Sequence, residues 1–469
     1  MRTLQLPIVT AMLLLAARYV IALPVSIPQT PYPQASPSNY ESVFPRALSP
    51  KARHVFDAVM QTAKKYPERL TSPIQYLPTA GRVLGFSFQH SPNDTLCEEF
   101  ITNYAVKAQE EVVLETFLYD RKSLCARQMA DAVRTLDAKA KASGTRIRVY
   151  ILVDTAGLLA FIGSSRPGTS GVVNALFKYY KLAPEALGLP RVRDVPNLDL
   201  RVKTFHRWPL GALHSKTLAV DGRLASIGSK NIDTETGLDM LIGLEGPIAQ
   251  SVRADFFQSW NEPAPVLRTP APHTTSDMVP MVVAANPYYG PFLGPPEDTP
   301  QNVAWKAAMD AATHKAFIMT PNFSTDSGRE MILRTLRRGV KVDLVELYGL
   351  DLPQFVFPPG QSDGSNMLAM LRLFNAIGND TTLRSRLRVC WYMSKRFPVG
   401  AKPSSDDWTH VKYMSIDDEF AIVGSGNQDA QSWYHSQEFN ILIDDAAITR
   451  QINQALDGVH RSFDPCHHV

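Results

Sequence analysis

The chain has 469 residues, of which 45% are hydrophobic and 20% charged, so it is not a mainly disordered, collagen-like or disulfide-dense protein. Its 48 Lys and Arg residues and 45 Asp and Glu residues give a net charge of +3, which excludes a polybasic protein of the histone type. Any attraction to phosphate groups must therefore come from a local site.

The first segment, residues 1–22, is apolar and contains basic but no acidic residues. Val20 and Ala22 place small residues where a signal peptidase recognises its substrate. This pattern predicts a secretory signal peptide, either cleaved or kept as a signal anchor. A mitochondrial presequence is the alternative, because that class also lacks acidic residues.

Sequons and cysteines agree with a secretory, oxidising compartment. Three Asn-x-Ser/Thr sequons are candidate glycosylation sites: Asn93, Asn322 and Asn379. Four cysteines lie far apart and form no CxxC pair, which argues against a zinc site: Cys97, Cys125, Cys390 and Cys466. They allow two disulfides in three alternative pairings, and buried free thiols are the other interpretation.

Proline clusters divide the rest of the chain. Seven prolines lie within residues 24–50 and ten within residues 262–300, which indicates a leader that is extended or disordered at its start and a central linker. The predicted segments are a Pro-rich leader at 23–78, a first half at 79–262, a linker at 263–300 and a second half at 301–465.

The two halves repeat one order of elements. In the first half the predicted order is helix 97–110, strand 112–118, a helix ending near 142, strand 146–154 and strand 198–205. In the second half it is helix 301–315, strand 316–320, helix 327–338, strand 340–347 and strand 387–393. This alternation predicts an α/β fold whose halves each contain a mixed, mainly parallel sheet.

Each half then carries the motif H-x-K-x4-D-x6-G-S-x-N with the same internal spacing. The first copy comprises His214, Lys216, Asp221, Ser229 and Asn231; the second comprises His410, Lys412, Asp417, Ser425 and Asn427. Residues two apart in a strand point to the same face, and the apolar residues before the Asp predict a buried strand that turns there. The returning strand would bring Ser and Asn beside His and Lys.

Two such half-sites that face each other form a clamp for a phosphodiester. The lysines supply charge for phosphate oxygens, and the Ser and Asn side chains are candidate phosphate-binding or supporting groups. One histidine can attack phosphorus while the other protonates the leaving oxygen. Each histidine needs a partner that fixes its tautomer, and Asp239 and Glu438 follow the two motifs at matching places.

This pair of motifs resembles the phospholipase D superfamily, in which they are called HKD motifs, over residues 80–465. The segment Asp239–Pro247 (DMLIGLEGP) is similar to cardiolipin synthases and related PLD-like proteins, and the end of the chain resembles fungal members. The resemblance implies two pseudo-symmetric α-β-α halves with the active site between them. It also implies that neither a metal nor a cofactor is needed, and a monomer is expected because both motifs lie in one chain.

The same resemblance implies roles for individual residues. His214 would be the nucleophile and His410 the general acid. Each carboxylate would orient the histidine of the opposite half, so that Glu438 serves His214 and Asp239 serves His410. Asp221 and Asp417 count with the catalytic motif but would be mainly structural.

Three functions are compatible with these residues. The first is a phosphodiesterase of the phospholipase D type, which hydrolyses or transphosphatidylates glycerophospholipids at a membrane surface through a phosphohistidine. The second is a nuclease, such as an exonuclease in the secretory or lysosomal lumen, and the third is an inactive binding protein. The balanced charge favours the first, because extended nucleic-acid binding needs many cations.

Overall fold

A computed structural model describes residues 40–90, 95–154, 179–207, 210–234, 237–290, 298–347, 357, 361–395, 408–459 and 467–468. These residues belong to one compact unit. The predicted signal peptide, the sequon residue Asn93 and Cys466 lie outside them.

The described residues form one sheet of sixteen strands. The strands are β1 (Pro78–His90), β2 (Glu111–Thr116), β3 (Ile147–Asp154), β4 (Tyr179–Leu182), β5 (Leu198–Phe205), β6 (Thr217–Val220), β7 (Leu224–Gly228), β8 (Leu238–Glu245), β9 (Val279–Val283), β10 (Lys315–Met319), β11 (Lys341–Glu346), β12 (Leu387–Trp391), β13 (Tyr413–Ile416), β14 (Phe420–Gly424), β15 (Asn440–Ile443) and β16 (His467–His468).

The sheet repeats one strand order on each side of its centre. From the central β1–β9 pair the order runs β1-β8-β7-β6-β2-β3-β5-β4 in one direction and β9-β15-β14-β13-β10-β11-β12-β16 in the other. Strands at equal distances from the centre occupy equivalent places in the two halves. The predicted pseudo-symmetric α/β fold is confirmed.

Parallel pairing is confined to β2-β3-β5 and β10-β11-β12, and the other neighbouring strands of the described sheet pair antiparallel. The prediction of mainly parallel sheets is therefore corrected. The physical reason is that each motif forms a hairpin, and the strand that follows the hairpin adds a further antiparallel partner.

Helices accompany the sheet throughout. They are α1 (Pro50–Lys65), α2 (Leu124–Ser143), α3 (Ile248–Trp260), α4 (Pro300–Ala311), α5 (Asp326–Arg337), α6 (Asn366–Ile377), α7 (Thr381–Arg386), α8 (Ala430–Tyr434) and α9 (Ala446–Val459), with a further irregular helical segment at 95–105. Local sequence sets their ends. The Ser123 hydroxyl caps the first turn of α2, and Gly144, with φ of 64°, ends that helix.

The N-terminal leader contains more structure than its prolines predict. Helix α1 begins at Pro50, where a missing N–H costs nothing, and the Ser49 hydroxyl accepts a hydrogen bond from Ala52 N–H. Its apolar face is buried, and it packs against α4. The extended or disordered part of the leader was expected at 24–50, and α1 begins at the end of that range.

The central linker also contains a structural element. Strand β9 lies within the predicted linker at 263–300 and pairs with β1 and β15, so it holds the middle of the sheet. Its sequence, VPMVV, is buried from Pro280 onwards. Burial of this short apolar run outweighs the turn signal that proline gives in the sequence.

Cys97 and Cys125 form a disulfide with a Cα–Cα distance of 5.6 Å. It joins the helical segment at 95–105 to the start of α2. Cys390 is disulfide-bonded as well. The interpretation of buried free thiols is thus wrong for these three residues.

Among the described residues, no helix has both the length and the apolar character needed to cross a bilayer.

Candidate active site

The two motif copies place their histidines and lysines just before strands rather than inside them. His214 and Lys216 precede β6, and His410 and Lys412 precede β13. Backbone contacts with the opposite half hold these segments extended: His214 N–H donates to the Gln437 carbonyl at 2.9 Å, and His410 N–H donates to the carbonyl before Asp239 at 2.7 Å.

His214 is held by a carboxylate from the second half. Its Nδ1 lies 2.8 Å from Glu438 Oε1 and 3.0 Å from Oε2. Glu438 is fully buried and accepts hydrogen bonds from the hydroxyls of Ser425 and Ser432, each at 2.6 Å. With Nδ1 engaged by the carboxylate, Nε2 is the nitrogen left for chemistry.

His410 is held in the same way by a carboxylate from the first half. Its Nδ1 lies 2.9 Å from Asp239 Oδ1, and the Ser229 hydroxyl donates to the same oxygen at 2.7 Å. The Lys230 ammonium lies 3.8 Å from the other oxygen, Asp239 Oδ2. These are the cross-half pairings that the family resemblance implies, and each dyad needs both halves of the chain.

The motif lysines are buried beside the histidines. Lys216 Nζ donates to the His214 carbonyl at 2.6 Å, and Lys412 Nζ donates to the His410 carbonyl. Burial, followed by the charge of Lys216, holds the pKa of Lys412 well below its usual range. The positive charge of Lys216 therefore disfavours the charged form of Lys412. An anion bound near both lysines would reduce this repulsion.

Burial is also the largest influence on the two imidazoles. It lowers the pKa of His214 to about 4 and that of His410 to about 3, although the partner carboxylates oppose this shift. Both rings are consequently neutral at pH 7 without substrate. A neutral imidazole is the nucleophilic form, and a bound phosphodiester anion would favour the protonated form of the second ring.

The motif serines lie in the site but not in the predicted role. Ser229 and Ser425 were expected to support phosphate binding, yet their hydroxyls donate to Asp239 and Glu438. Each also accepts the backbone N–H of the residue that follows its carboxylate, at 2.9 and 3.0 Å. Their position indicates that they hold the carboxylates against the histidines.

The motif asparagines anchor loops. Asn231 Oδ1 accepts the Leu118 N–H at 3.3 Å, and Asn427 Nδ2 donates to Asp429 Oδ2 at 3.2 Å. Asn427 Oδ1 is buried and has no hydrogen-bond partner among the described residues. The predicted phosphate-supporting role is not visible in the contacts of either residue.

The motif aspartates are located at the hairpin turns. Asp221 and Asp417 have φ angles of 51° and 53° at the corners that follow β6 and β13. Their carboxylates accept backbone N–H bonds from residues 109–111 and 313–315, at the start of β2 and β10. Their grouping with the catalytic residues is corrected, because these bonds give them the structural role that the resemblance implies.

Two aromatic side chains border the histidines. The Phe117 ring packs edge-to-face on His214 with centroids 5.1 Å apart, and the Trp408 ring does so on His410 at 5.5 Å. Both are half-buried. Sequence reasoning missed Phe117, whose only signal is its place directly after buried strand β2, and it missed Ser432, for which no signal exists.

Among the described residues, no group of three or more His, Cys, Asp or Glu side chains could hold a metal ion.

Sequence comparisons relate part of the chain to known proteins. Residues 306–459 match the family described as cardiolipin synthase, PLD-like domain, and this span includes His410 and Glu438. Cardiolipin synthase A of Pseudomonas putida is 23% identical over 263 residues, which are 54% of this chain and 47% of that protein. Cardiolipin synthase A of Pseudomonas fluorescens is 24% identical over 298 residues, covering 59% and 55%. The chain spans about half the length of these curated relatives.

One solved structure extends the similarity to the whole fold. Phosphatidylserine synthase of Haemophilus influenzae superposes with a TM-score of 0.53 at 13% sequence identity, over 87% of this chain and 93% of that one. At this identity the comparison concerns the fold, which both halves of the chain share with that protein.

Proposed function

We propose that this chain is a member of the phospholipase D superfamily and cleaves phosphodiesters through a covalent phosphohistidine. The observation that carries the proposal is the pair of His–carboxylate dyads, His214–Glu438 and His410–Asp239, each assembled across the two halves. A single dyad offers one group for nucleophilic or acid–base work. Two dyads, each with a lysine beside its histidine, supply the groups that a two-step displacement at phosphorus needs.

In the first step, Nε2 of His214 attacks phosphorus and the bond from phosphorus to the leaving oxygen breaks. The protonated His410 gives its proton to that oxygen, which leaves as an alcohol. Glu438 stabilises the positive charge that develops on His214, while Lys216 and Lys412 stabilise the non-bridging oxygens.

In the second step, the neutral His410 removes a proton from an incoming water or alcohol. The new oxygen attacks phosphorus, the phosphorus–nitrogen bond breaks, and His214 returns to its starting form. Water gives hydrolysis and an alcohol gives group transfer, so the same residues serve both outcomes.

We infer that the substrate is a glycerophospholipid. Support comes from the match to a cardiolipin synthase domain and from the half-buried rings of Phe117 and Trp408, which give the site an apolar border. Whether the product is a phosphatidic acid or an exchanged phospholipid depends on the acceptor that reaches His410.

One experiment separates the alternatives. Purified protein is incubated with mixed phospholipid vesicles, with and without added glycerol, and separately with single-stranded oligonucleotides, and all products are analysed by mass spectrometry. We expect headgroup release or exchange that is absent in His214→Ala protein. Shortened oligonucleotides with unchanged lipids would instead identify a nuclease. If neither lipids nor oligonucleotides give a product, the proposal that the protein is an enzyme is contradicted.

A secretory or lumenal location is proposed alongside this activity. The Cys97–Cys125 disulfide and the disulfide-bonded Cys390 support an oxidising compartment. Asn379 is exposed and suits glycosylation, whereas Asn322 Nδ2 already donates to Asp429 at 3.2 Å. Glycosidase treatment of protein from the native host should change its mass, and recovery of the protein in mitochondria would contradict the proposal.

A monomer is proposed as well, because one chain contributes both dyads. Light scattering at working concentration should give the mass of a single chain. A stable dimer would contradict this part of the proposal.

A further inference from the structure

The two motif copies differ between Ser and Asn, where the first has Lys230 and the second has Gly426. The Lys230 side chain is fully buried. Its Nζ lies 3.1 Å from Asp233 Oδ1 and 3.8 Å from Asp239 Oδ2. Burying an ammonium group costs free energy unless carboxylates lie close to it. Of the two carboxylates near Lys230, Asp239 is also the partner of His410.

The second half has no room for an equivalent side chain. A Cβ added to Gly426 would lie 2.6 Å from Gln301 Oε1 and 2.9 Å from the Trp305 ring. Glu438 is held instead by two neutral hydroxyls, those of Ser425 and Ser432. The two dyads therefore share their geometry, but their carboxylates have different neighbours. Asp239 lies near a buried ammonium, whereas Glu438 is held by hydroxyls.

The Lys230 ammonium is not placed to touch substrate. The cavity that it shares with Lys216 and Glu115 has a volume of about 10 Å³, which is room for one water molecule at most. Its contact with Asp239 is the one that leads to the reaction site, because Asp239 also bonds His410. Burial raises the pKa of Asp239, but His410, Lys230 and Ser229 outweigh burial and lower it.

We propose that Lys230 is a positioning residue of the acid–base half-site, which keeps Asp239 ionised and fixed against Nδ1 of His410. An ionised Asp239 holds the Nδ1–H tautomer of His410 and stabilises the ring when it is protonated. Among the described residues, the other charged groups that act on this dyad include Lys412 and Lys216 from the motif segments, with Asp233 beyond Lys230. In the His214 half-site the corresponding contacts to Glu438 come from the Ser425 and Ser432 hydroxyls.

The test compares four variants. Lys230→Met removes the charge but leaves Asp233 buried without its cation, which endangers folding, so the double variant Lys230→Met/Asp233→Asn removes both charges. Lys230→Arg keeps the charge. Lys203→Met is a matched control, because Lys203 is a buried lysine elsewhere, paired with Glu262 at 2.6 Å.

The first readout is the pH profile of kcat/KM with bis(4-nitrophenyl) phosphate, so this readout rests on the proposed function. Loss of Lys230 should raise the pKa of the coupled Asp239–His410 pair, and the acidic limb of the profile should move to higher pH by about one unit, with KM little changed. Lys203→Met should keep the wild-type profile, and Lys230→Arg should keep the position of the limb because it keeps the charge, with a loss of stability from its larger buried side chain. If the acidic limb of kcat/KM stays at its wild-type pH, the proposal is overturned. This holds even if kcat falls at every pH or KM rises about tenfold.

The second readout needs no turnover. The ring nitrogens of His410, labelled with ¹⁵N, report its Nδ1–H tautomer as pH is lowered. In the double variant this signal should be lost at a higher pH than in wild type, and loss at the same pH would overturn the proposal. If the wild-type protein cleaves no phosphodiester, the proposed function fails, while this measurement still decides the role of Lys230.

Discussion

The two half-sites have the same geometry and different surroundings. His214 faces Glu438, a buried carboxylate held by two serine hydroxyls, whereas His410 faces Asp239, held by one serine and a buried lysine. The shared part is what a symmetric clamp on a phosphodiester requires. The difference shows that a duplicated site can give each copy its own charge environment, and unequal environments suit unequal roles for the two histidines.

The largest expected effect distinguishes the histidines themselves. His214→Ala removes the nucleophile, so turnover should fall below detection with every phosphodiester. His410→Ala removes only the acid and base, which contribute about 10²–10⁴-fold, so a substrate with an activated leaving group should still react once. Single-turnover kinetics with a 4-nitrophenyl ester measure this, and equal loss in both variants would contradict the assigned roles.

Replacing the carboxylates should give a smaller but equally asymmetric effect. Asp239→Asn weakens leaving-group protonation, so its loss of about 10²-fold or more should shrink with activated esters. Glu438→Gln weakens the nucleophile itself, and its loss should persist with the same esters. Measuring kcat/KM for a series of leaving groups tests this, and the same dependence for both variants would show that the two dyads are interchangeable.

The smallest effect concerns the motif aspartates, which should affect stability rather than chemistry. Asp417 accepts three backbone N–H bonds and the Lys51 ammonium at 2.5 Å, so Asp417→Asn should cost about 1–3 kcal/mol of unfolding free energy and leave KM unchanged. Asp221 has matching backbone bonds but no such lysine among its hydrogen bonds in the described part of the chain, so Asp221→Asn should cost less. Denaturant unfolding measures both free energies.

The contacts of Asp417 also predict that the stability of the fold depends on pH. Burial raises the pKa of Asp417, but Lys51 and the backbone N–H groups of residues 313–315 outweigh it and lower the pKa below its ordinary value. A lowered pKa stabilises the fold above the unfolded value near pH 4, and this stabilisation is lost as pH falls towards the folded value. The difference in stability between wild type and Asp417→Asn should therefore narrow below about pH 4, and a constant difference would contradict the account.

The sequence predicts the catalytic constellation well, because six residue types recur with one spacing and so determine which side chains meet. It predicts the roles of Ser229 and Ser425 poorly, because the direction of a hydroxyl depends on the strand that packs beside it. Helix α1 and strand β9 are not predicted from the sequence, because both contain a proline, which usually indicates a turn or linker. In the structure Pro50 begins the helix and Pro280 lies within the strand. The Lys230–Gly426 difference is visible in the sequence, but its meaning depends on burial, which only the fold supplies.

The central claim, a covalent intermediate on His214, is tested most directly by trapping. His410→Ala protein is mixed with a ³²P-labelled phosphodiester carrying a 4-nitrophenyl leaving group, because the missing base should let the intermediate accumulate. The reaction is stopped in alkali, where phosphohistidine survives, and the labelled peptide is identified by mass spectrometry. The account predicts phosphorus on His214. No covalent label, or a label on any other residue, would contradict it.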